Sequence, residues 1–462
     1  MVSVLMIPFY VAISIQAKIE SQNGNSEPEL RVLVESFLRE SDDAIRVRLA
    51  QEIETAAKGD ASVLERALQD ARPEQSDLAR QGRMVIPHLP AWTAESQQQV
   101  HYRRPPHDPA GRKHPLLLIL SADDTEARII LREFEVDVGN AIVVAMGPCI
   151  GASLREGEAW AELAQAVQRE AVRMFAVDAE RVYLIADQSC ANGAWMLLLA
   201  AADIFAGAVI NGGHPDLPDP AQSYPLFLEN LRHTHVLVRE ELPTPAPEAT
   251  PSMDPDVSVG SVQLRALGAW AHRERIPLRV VGVHAGEPSD AWRNECRALL
   301  ARTKPERVSS VRHWFGGPAA GSAWWLRALR LEGAPWTAEQ LSILPGAEGN
   351  RDAAVIAFFH ERLAFLSGTL ESNTTTIEAR RCSRIEIRLT RETIEWSRPV
   401  TVVVNGIKRY AEIVTPSIKT MLTEAHDGHL SHPIRALMVF DVHADSPRRK
   451  TPSLKTDLEK AP

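Results

Sequence analysis

Residues 181–213 read RVYLIADQSCANGAWMLLLAAADIFAGAVINGG, and this stretch decides the fold. Residues 182–185 are a short β-branched, aromatic and aliphatic run, which is typical of a buried strand. Residues 191–202 are small and apolar, as a helix packed against a sheet must be. Only residues 186–190 separate the two, so the stretch predicts a strand, a tight turn and a helix in succession.

The turn reads ADQSC, with RVYL before it and GAW soon after it. In a nucleophile elbow of the form G-x-S-x-G, small residues flank a serine whose hydroxyl stands clear above the sheet, with a backbone N–H beside it for the oxyanion. The stretch resembles the α/β-hydrolase family, specifically the secreted esterase and prolyl-oligopeptidase-like peptidase branch, whose elbow reads RVYLTGxSxGGxGAW. The resemblance implies an acyl-transfer site at this turn.

The match needs no gap, and it places Gln188 at the nucleophile position. A carboxamide has no ionisable proton for a base to remove, so it cannot form an acyl-enzyme. Ser189 reaches the tip only if the turn carries one extra residue, which makes Asp187 a flanking residue where the family has a small one. Cys190 is a weaker candidate still, because a cysteine beside an apolar helix is more often a small buried hydrophobic residue than a thiolate.

The expected oxyanion turn also departs from the family pattern. Residues 115–120, PLLLIL, resemble the strand that in this family ends in His-Gly-Gly, where backbone N–H groups approach the substrate carbonyl. Here Ser121 and Ala122 follow the strand, and two aspartates come next. Glycine lets a backbone approach a ligand closely, whereas aspartates repel a developing oxyanion. By the resemblance, Ser121, Ala122 and Ser189 mark the oxyanion region, and its composition opposes acyl transfer.

The histidine and the acid of a triad have no clear counterparts. Residues 276–283, IPLRVVGV, resemble the family's last strand, and Glu287 occupies the histidine position. His284 lies close by, but at the end of an apolar strand it is more often a hydrogen-bonded structural histidine than a general base. A triad is defined by geometry rather than spacing, so Ser189 with His284 and an acid stays open. The acids in the loop after the preceding strand are Glu240, Glu241, Asp254 and Asp256.

The order of elements predicts an α/β fold: a doubly wound α/β-hydrolase core with an N-terminal helical cap and a C-terminal antiparallel β-sandwich-like domain. Strand-like runs at 115–120, 141–146 and 182–185 alternate with a helix predicted over 160–175, as a parallel sheet requires. Apolar residues at helical spacing predict three short helices within 26–71. The predicted bounds are 26–80 for the cap, 82–304 for the core, 305–444 for the β-rich domain and 445–462 for a disordered tail.

The prediction of a β-rich region rests on short strand-like runs separated by turn residues. This pattern favours an antiparallel sandwich. The runs cover 308–315, 323–331, 374–379, 383–389, 400–404 and 436–442. Asn405-Gly406 is a strong hairpin signal. A group of tryptophans is either a carbohydrate-stacking platform or part of the core, and core packing is favoured because tryptophan is frequent in such cores. The group comprises Trp314, Trp324, Trp325, Trp336 and Trp396.

Composition narrows the functional classes. The net charge is −9 and no basic stripe is present to neutralise phosphates, which argues against nucleic-acid binding. The four cysteines, at positions 149, 190, 296 and 382, form no Cys-x-x-Cys pair, so neither a zinc ribbon nor a thioredoxin-like motif is indicated. We therefore expect neither a metal nor a cofactor.

The N-terminus predicts a targeting segment. Residues 2–15 are apolar and are followed by Gln16-Ala17-Lys18. The run is too short for a stable transmembrane span and about right for a signal-peptide core. Residues 1–17 are therefore interpreted as a signal peptide, with export to a periplasmic or extracellular compartment; an uncleaved anchor over 2–15 is the alternative. The proline-rich segment 242–257 is either a lid or, as favoured, a surface insertion without a role.

Nucleophile, oxyanion turn and histidine position depart from the family pattern together. The sequence therefore favours a hydrolase-like protein that has lost acyl transfer and acts by binding a small-molecule, peptide or glycan ligand. The alternative is an active serine hydrolase, an esterase or peptidase, which uses Ser189 with His284 and an acid from residues 240–256, such as Glu240 or Asp254.

Overall fold

The computed structural model describes residues 26–72, 79–86, 99–105, 112–120, 140–146, 154–215, 226–242, 259–284, 290–333, 351–430 and 432–443. Several predicted features lie outside these ranges. They are the signal peptide over 1–17, the oxyanion turn with Ser121 and Ala122, the acid Asp254, the segment 243–257, Glu287 at the histidine position, and the tail 445–462.

Three helices precede the central sheet: α1 (Ser26–Arg39), α2 (Asp43–Ala56) and α3 (Ala61–Asp70). An aspartate caps each of the last two, and its carboxylate accepts hydrogen bonds from two backbone N–H groups of the first turn. Such a cap stabilises a helix by about 1 kcal/mol. The capping residues are Asp42 and Asp60. The prediction of three helices within 26–71 is confirmed.

Within the described residues, eight strands form the central sheet. They are β1 (Gln81–Val85), β2 (Gln99–Arg103), β3 (His114–Leu120), β4 (Ile142–Ala145), β5 (Val177–Ala186), β6 (Gly207–Asn211), β7 (His235–Leu242) and β8 (Leu278–His284). The order is β1-β2-β4-β3-β5-β6-β7-β8. Strands β3 to β8 are parallel, and β2 runs antiparallel to β1 and β4. This topology confirms the α/β fold class with a large parallel sheet.

Helices cover both faces of this sheet, which explains why β5 is apolar on both sides. Val182 and Leu184 belong to the hydrophobic core on one face, and Tyr183 and Ile185 to the core on the other. All four side chains are fully buried. The covering helices are α4 (Leu154–Met174), α5 (Ala191–Ala201) and α6 (Val259–Arg273) on the first face and α7 (Asp290–Leu300) on the second.

The C-terminal region contains two further sheets. Their strands are β9 (Ser310–Phe315), β10 (Ser322–Ala323), β11 (Leu326–Leu331), β12 (Ala364–Glu371), β13 (Thr374–Arg380), β14 (Cys382–Leu389), β15 (Val400–Val404), β16 (Ile407–Glu412) and β17 (Ala436–Asp441). One sheet has the order β10-β11-β14-β17 and is antiparallel; the other has the order β16-β15-β13-β12-β9.

The antiparallel prediction is wrong at one pair, because β13 and β15 are parallel. Between them the chain crosses into the other sheet as β14 and returns, so β15 runs in the same direction as β13. The predicted hairpin is present: Asn405 and Gly406 both have positive φ angles and join β15 to β16. Trp314 and Trp325 are buried and belong to the core, as the favoured interpretation expects.

Two helices of this region were not predicted, α8 (Arg351–Arg362) and α9 (Ile418–His426). Helix α9 packs against α1, α2 and α3. The Arg46 guanidinium donates a hydrogen bond to the His426 ring at 2.7 Å, and Glu65 forms a buried ion pair with Arg435. The helical cap thus rests on the C-terminal region as well as on α4 of the core. The domain bounds themselves stay a prediction.

Candidate functional site

The turn after β5 is a short 3₁₀ helix, Gln188–Cys190, that continues directly into α5. Gln188 and Ser189 are exposed, whereas Asp187 and Cys190 are buried. The strand–turn–helix order therefore matches the prediction, and Gln188 stands at the first exposed position beyond the strand.

Asp187 acts as the cap of this helical segment. Its Oδ1 accepts a hydrogen bond from the backbone N of Cys190 at 2.9 Å and another from Ser189 Oγ at 2.8 Å. Its Oδ2 is buried and has no hydrogen-bond partner among the described residues. A helix N-terminus attracts negative charge, and here the chain supplies that charge itself. An aspartate before a helix is a capping signal, but in the elbow match Asp187 stands out only as an unsuitable flanking residue, so this role was not predicted.

The backbone of the turn is not that of a strained elbow. Among the described residues that are not glycine, positive φ angles occur at six positions, and none of them lies in the turn 187–190. A nucleophile elbow presents its serine on a sharp, strained turn. The turn here has the relaxed geometry of a capped helix start, in which Ser189 Oγ faces Asp187.

Two glycines after β6 pack against this turn. Gly212 and Gly213 have φ angles of +75° and +71°, which favour glycine. A Cβ atom at Gly213 would lie 2.6 Å from the Cβ of Ala191, and one at Gly212 would lie 3.3 Å from Cγ of Gln188. The pair therefore lets the loop approach the turn closely and supports the Gln188 side chain. The Gly-Gly dipeptide was the signal for this contact, but its partner was not apparent from sequence.

The candidate acid Glu240 is engaged elsewhere. It lies on β7 and is buried, and its Oε1 forms an ion pair with Arg265 Nε of α6 at 3.0 Å. The structure therefore gives Glu240 a partner that is not a histidine. The other named acid, Asp254, lies outside the described residues.

His284 ends β8, where it is exposed. In the described part of the chain no hydrogen bond or ion pair involves its ring. Three strand spacings, about 14 Å, separate β5 from β8. The register aligns Ala186 with Val280 through β6 and β7, so His284 lies four residues further along. The structure therefore does not bring His284 together with Ser189, and Glu240 bonds to Arg265 instead.

The described cysteines offer no reactive thiol. Cys190, Cys296 and Cys382 are all buried. Burial raises the pKa of Cys382 to about 12. Within the described ranges, no group of three or more His, Cys, Asp and Glu side chains is arranged to hold a metal ion. In the same ranges, no helix is both long and apolar enough to cross a membrane.

Comparisons with known proteins give weak structural matches and no sequence match. No family model and no curated protein matches the chain. Among solved structures, a thermostable esterase is 15% identical, with a TM-score of 0.35. The match covers 49% of this chain and 63% of the esterase, which is slightly less than two thirds of the esterase's length. Esterase 2 of Thermogutta terrifontis is 10% identical with a TM-score of 0.32, over 49% of this chain and 91% of that one. A Bacillus cereus carboxylesterase is 14% identical with a TM-score of 0.28, over 44% and 92%.

Proposed function

We propose that this chain is a hydrolase-like protein that has lost acyl transfer and acts by binding a small molecule, peptide or glycan. The turn after β5 carries the proposal. Gln188 is exposed where the family has its nucleophile, and the Asp187 carboxylate occupies the helix N-terminus and accepts a hydrogen bond from Ser189 Oγ. The resemblance to secreted esterases and prolyl-oligopeptidase-like peptidases supports the descent of this turn from a nucleophile elbow.

The electrostatics of the turn oppose an acyl-transfer reaction at Ser189. The tetrahedral intermediate of acyl transfer carries a negative oxygen, which needs hydrogen-bond donors aimed at it. The Asp187 carboxylate is buried two residues from Ser189 and already uses the backbone N–H of Cys190. The Asp187 carboxylate would repel an oxyanion held at this helix start. The oxyanion would also lack the hydrogen bond that the Cys190 N–H donates to Asp187.

The test is covalent labelling of the full-length protein with a fluorophosphonate, combined with rapid-mixing assays on activated esters. We expect no burst of acyl-enzyme and no labelling of Ser189 above the level of the Ser189→Ala variant. Stoichiometric labelling of Ser189, lost in that variant, would overturn the proposal.

The alternative function is an active serine hydrolase, with Ser189 as nucleophile, His284 as base and Glu240 or Asp254 as acid. The exposure of Ser189 and His284 at the same edge of the sheet favours it. The labelling experiment supports this alternative if Ser189 reacts and if His284→Ala abolishes the reaction while His272→Ala, a change at the end of α6, leaves it intact.

We also propose that the protein is exported, on the strength of the apolar run at 2–15 and Ala17 behind it. Fractionation of cells that express the full chain, followed by N-terminal sequencing, tests this. A mature chain that begins near residue 18 in the periplasmic or extracellular fraction is expected. An intact N-terminus in the cytosol contradicts export, and an intact N-terminus in the membrane fraction supports the anchor.

A further inference from the structure

One histidine of the C-terminal region lies against two helices of the cap. His426 is in the last turn of α9 and is half-buried. Its ring makes an edge-on contact with the ring of Phe37 in α1, and the two ring centres are 6.0 Å apart. From α2, Arg46 Nη1 approaches the same ring, at 2.7 Å from Nε2 and 3.1 Å from Nδ1. His426 therefore connects α9 to both α1 and α2.

The hydrogen bond between Arg46 and His426 requires a neutral ring. A guanidinium has only N–H donors and keeps its positive charge, so Arg46 can donate but never accept. A neutral imidazole has one nitrogen that can accept, whereas both nitrogens of a protonated imidazole are donors. Protonation of His426 therefore removes this hydrogen bond and places a second positive charge beside the first.

A second guanidinium reaches the same place from α4 of the core. Arg173 Nε donates a hydrogen bond to the carbonyl oxygen of Leu38 at 3.3 Å, and its Nη2 donates to that of Arg39 at 3.4 Å. Both carbonyl groups directly follow Phe37, whose ring contacts His426. A protonated His426 would thus join two arginines at the end of α1.

The carboxylates of the helices that meet here have other partners. The pairs are Asp43 with Arg46, Glu170 with Arg173 at 3.3 Å, Asp427 with Arg169 at 3.9 Å, and Glu424 with His429 at 3.9 Å. Glu40, at the end of α1, accepts hydrogen bonds from the backbone N–H groups of Ser41 and Asp42 at 2.9 Å. Within the described residues, no carboxylate forms an ion pair with His426.

These surroundings lower the pKa of His426 to about 4 from an ordinary 6.5. Burial is the largest cause, and the positive charges of Arg46 and Arg173 follow; Asp427 and a hydrogen bond to the backbone of Glu40 act in the opposite direction. A released ring takes up a proton more readily than a bound one. The contact is therefore at full strength above pH 6.5 and weakens as the pH falls toward 4.

We infer that His426 and Arg46 form an acid-sensitive latch, which holds α1 and α2 on α9 at neutral pH and releases them in mildly acidic surroundings. The third helix of the cap has its own buried ion pair with the C-terminal region, between Glu65 and Arg435. The release therefore concerns α1 and α2 rather than the whole cap. The inference does not depend on the proposed function, because no residue of the turn 187–190 takes part.

Hydrogen exchange of the full-length protein at pH 7.5 and pH 5, measured by mass spectrometry and corrected for the intrinsic effect of pH, tests the inference. Protection of the backbone amides of α1 and α2 should fall at least about tenfold at pH 5. Protection of residues 182–185 in β5 should stay within about twofold. Equal protection of α1 and α2 at both pH values would overturn the inference. An equal loss in β5 would also overturn it, because that result indicates general acid unfolding.

Matched variants assign the effect to the ring. His426→Gln keeps an acceptor for Arg46 but cannot take up a proton, so α1 and α2 should have the same protection at both pH values, within about twofold. His429→Gln is the control, because it removes the other histidine near the end of α9, whose Nε2 lies 3.9 Å from Glu424. This control should keep the wild-type response. A response that persists in His426→Gln, or that also disappears in His429→Gln, would overturn the inference.

A titration of the wild-type protein followed by NMR needs no substitution at the histidine. The ring signals of His426 should give a pKa near 4, and Arg46→Gln should move this pKa upward because it removes a neighbouring positive charge. A wild-type midpoint at or above the ordinary 6.5 would overturn the inference, and so would a midpoint that Arg46→Gln leaves unchanged.

Discussion

The two edges of the central sheet use their polar groups differently. At the carboxyl edge, Asp187 neutralises the helix start and holds Ser189, so the groups that would serve a reaction are bonded to each other. At the amino edge, charged side chains of both signs line a cavity of about 520 Å³, among them Lys304, Glu180 and Asp203. Ligands of open α/β sheets bind at the carboxyl ends of the strands. The fold therefore determines where a ligand site is expected, and the side chains at that edge determine whether it can still bind or react.

The largest effect should follow from a change in β5, which reaches from one edge to the other. Ile185→Asp places a carboxylate at a fully buried position, and this costs several kcal/mol of unfolding free energy. Ile413→Asp, at a side chain that is 58% exposed, should cost almost nothing. Urea unfolding of both variants measures the difference. Equal losses would show that β5 is not the buried strand that supports both edges.

A smaller loss should come from the glycine pair at the carboxyl edge. Gly213→Ala combines a positive φ with a Cβ only 2.6 Å from the Cβ of Ala191, and we expect it to destabilise by about 2–3 kcal/mol. Gly406→Ala is the control, because its φ is +80° and nothing lies within 4 Å of the added Cβ. Thermal unfolding measures the stability that each variant loses. The additional loss in Gly213→Ala is the cost of the close contact with Ala191. If the two variants melt together, the loop after β6 does not pack on the turn.

The amino edge should respond to pH through His432. Its Nε2 donates a hydrogen bond to Glu180 at 3.0 Å, and its Nδ1 lies 3.8 Å from Glu392. These carboxylates raise the pKa of His432 to about 10 from an ordinary 6.5. Since the folded-state pKa is raised, the stabilisation is complete below pH 6.5 and disappears as the pH rises through 10.

We therefore expect His432→Gln to lower the melting temperature by about 2 °C at pH 6 and by progressively less toward pH 10. His443→Gln removes an ion pair to Glu332 that is exposed on both sides, and it should have no comparable effect. A gap between wild type and His432→Gln that is constant from pH 6 to pH 10 would refute the assignment of this contact.

The smallest expected effect is on esterase activity. Gln188→Ser restores a hydroxyl at the nucleophile position, yet esterase activity should remain near background. His284 lies at the end of β8, three strands away, and Asp187 still occupies the helix start, where one lost oxyanion donor costs about 2.7–4 kcal/mol. Initial rates on p-nitrophenyl acetate, compared with Ser189→Ala as a background, measure this. A gain of several thousandfold would show that the carboxyl edge keeps a working base and oxyanion site.

Local patterns predicted much of this fold, because the residues that decide each element are close in sequence. The run at 182–185 and the apolar residues after 191 specify β5 and α5, and Asn405-Gly406 specifies a hairpin. Strands β1, β2, β6 and β12 were not predicted, and β16 was predicted only through the hairpin signal before it. Strand β12 directly follows α8, and β16 is polar and half exposed, so neither has an isolated alternating run.

The candidate site was predictable only in part. The position of Gln188 follows from an ungapped local match, but the bond from Ser189 to Asp187 depends on the backbone of the turn. The separation of His284 from Ser189 depends on the register of four strands. The cavity joins Glu180 to His429 across roughly half of the chain, and no local pattern carries information about such a contact.

The packing of α9 on the first three helices has a consequence for synthesis on the ribosome. Helix α9 begins at Ile418, so this surface for α1 to α3 is made long after the three helices themselves. These helices therefore wait until residues 418–435 have been made before Arg46 can reach His426 and Glu65 can reach Arg435. Contacts between such distant positions form slowly, and until then the part of the early helices that α9 contacts remains uncovered. A chain released before residue 418 would leave them exposed to aggregation.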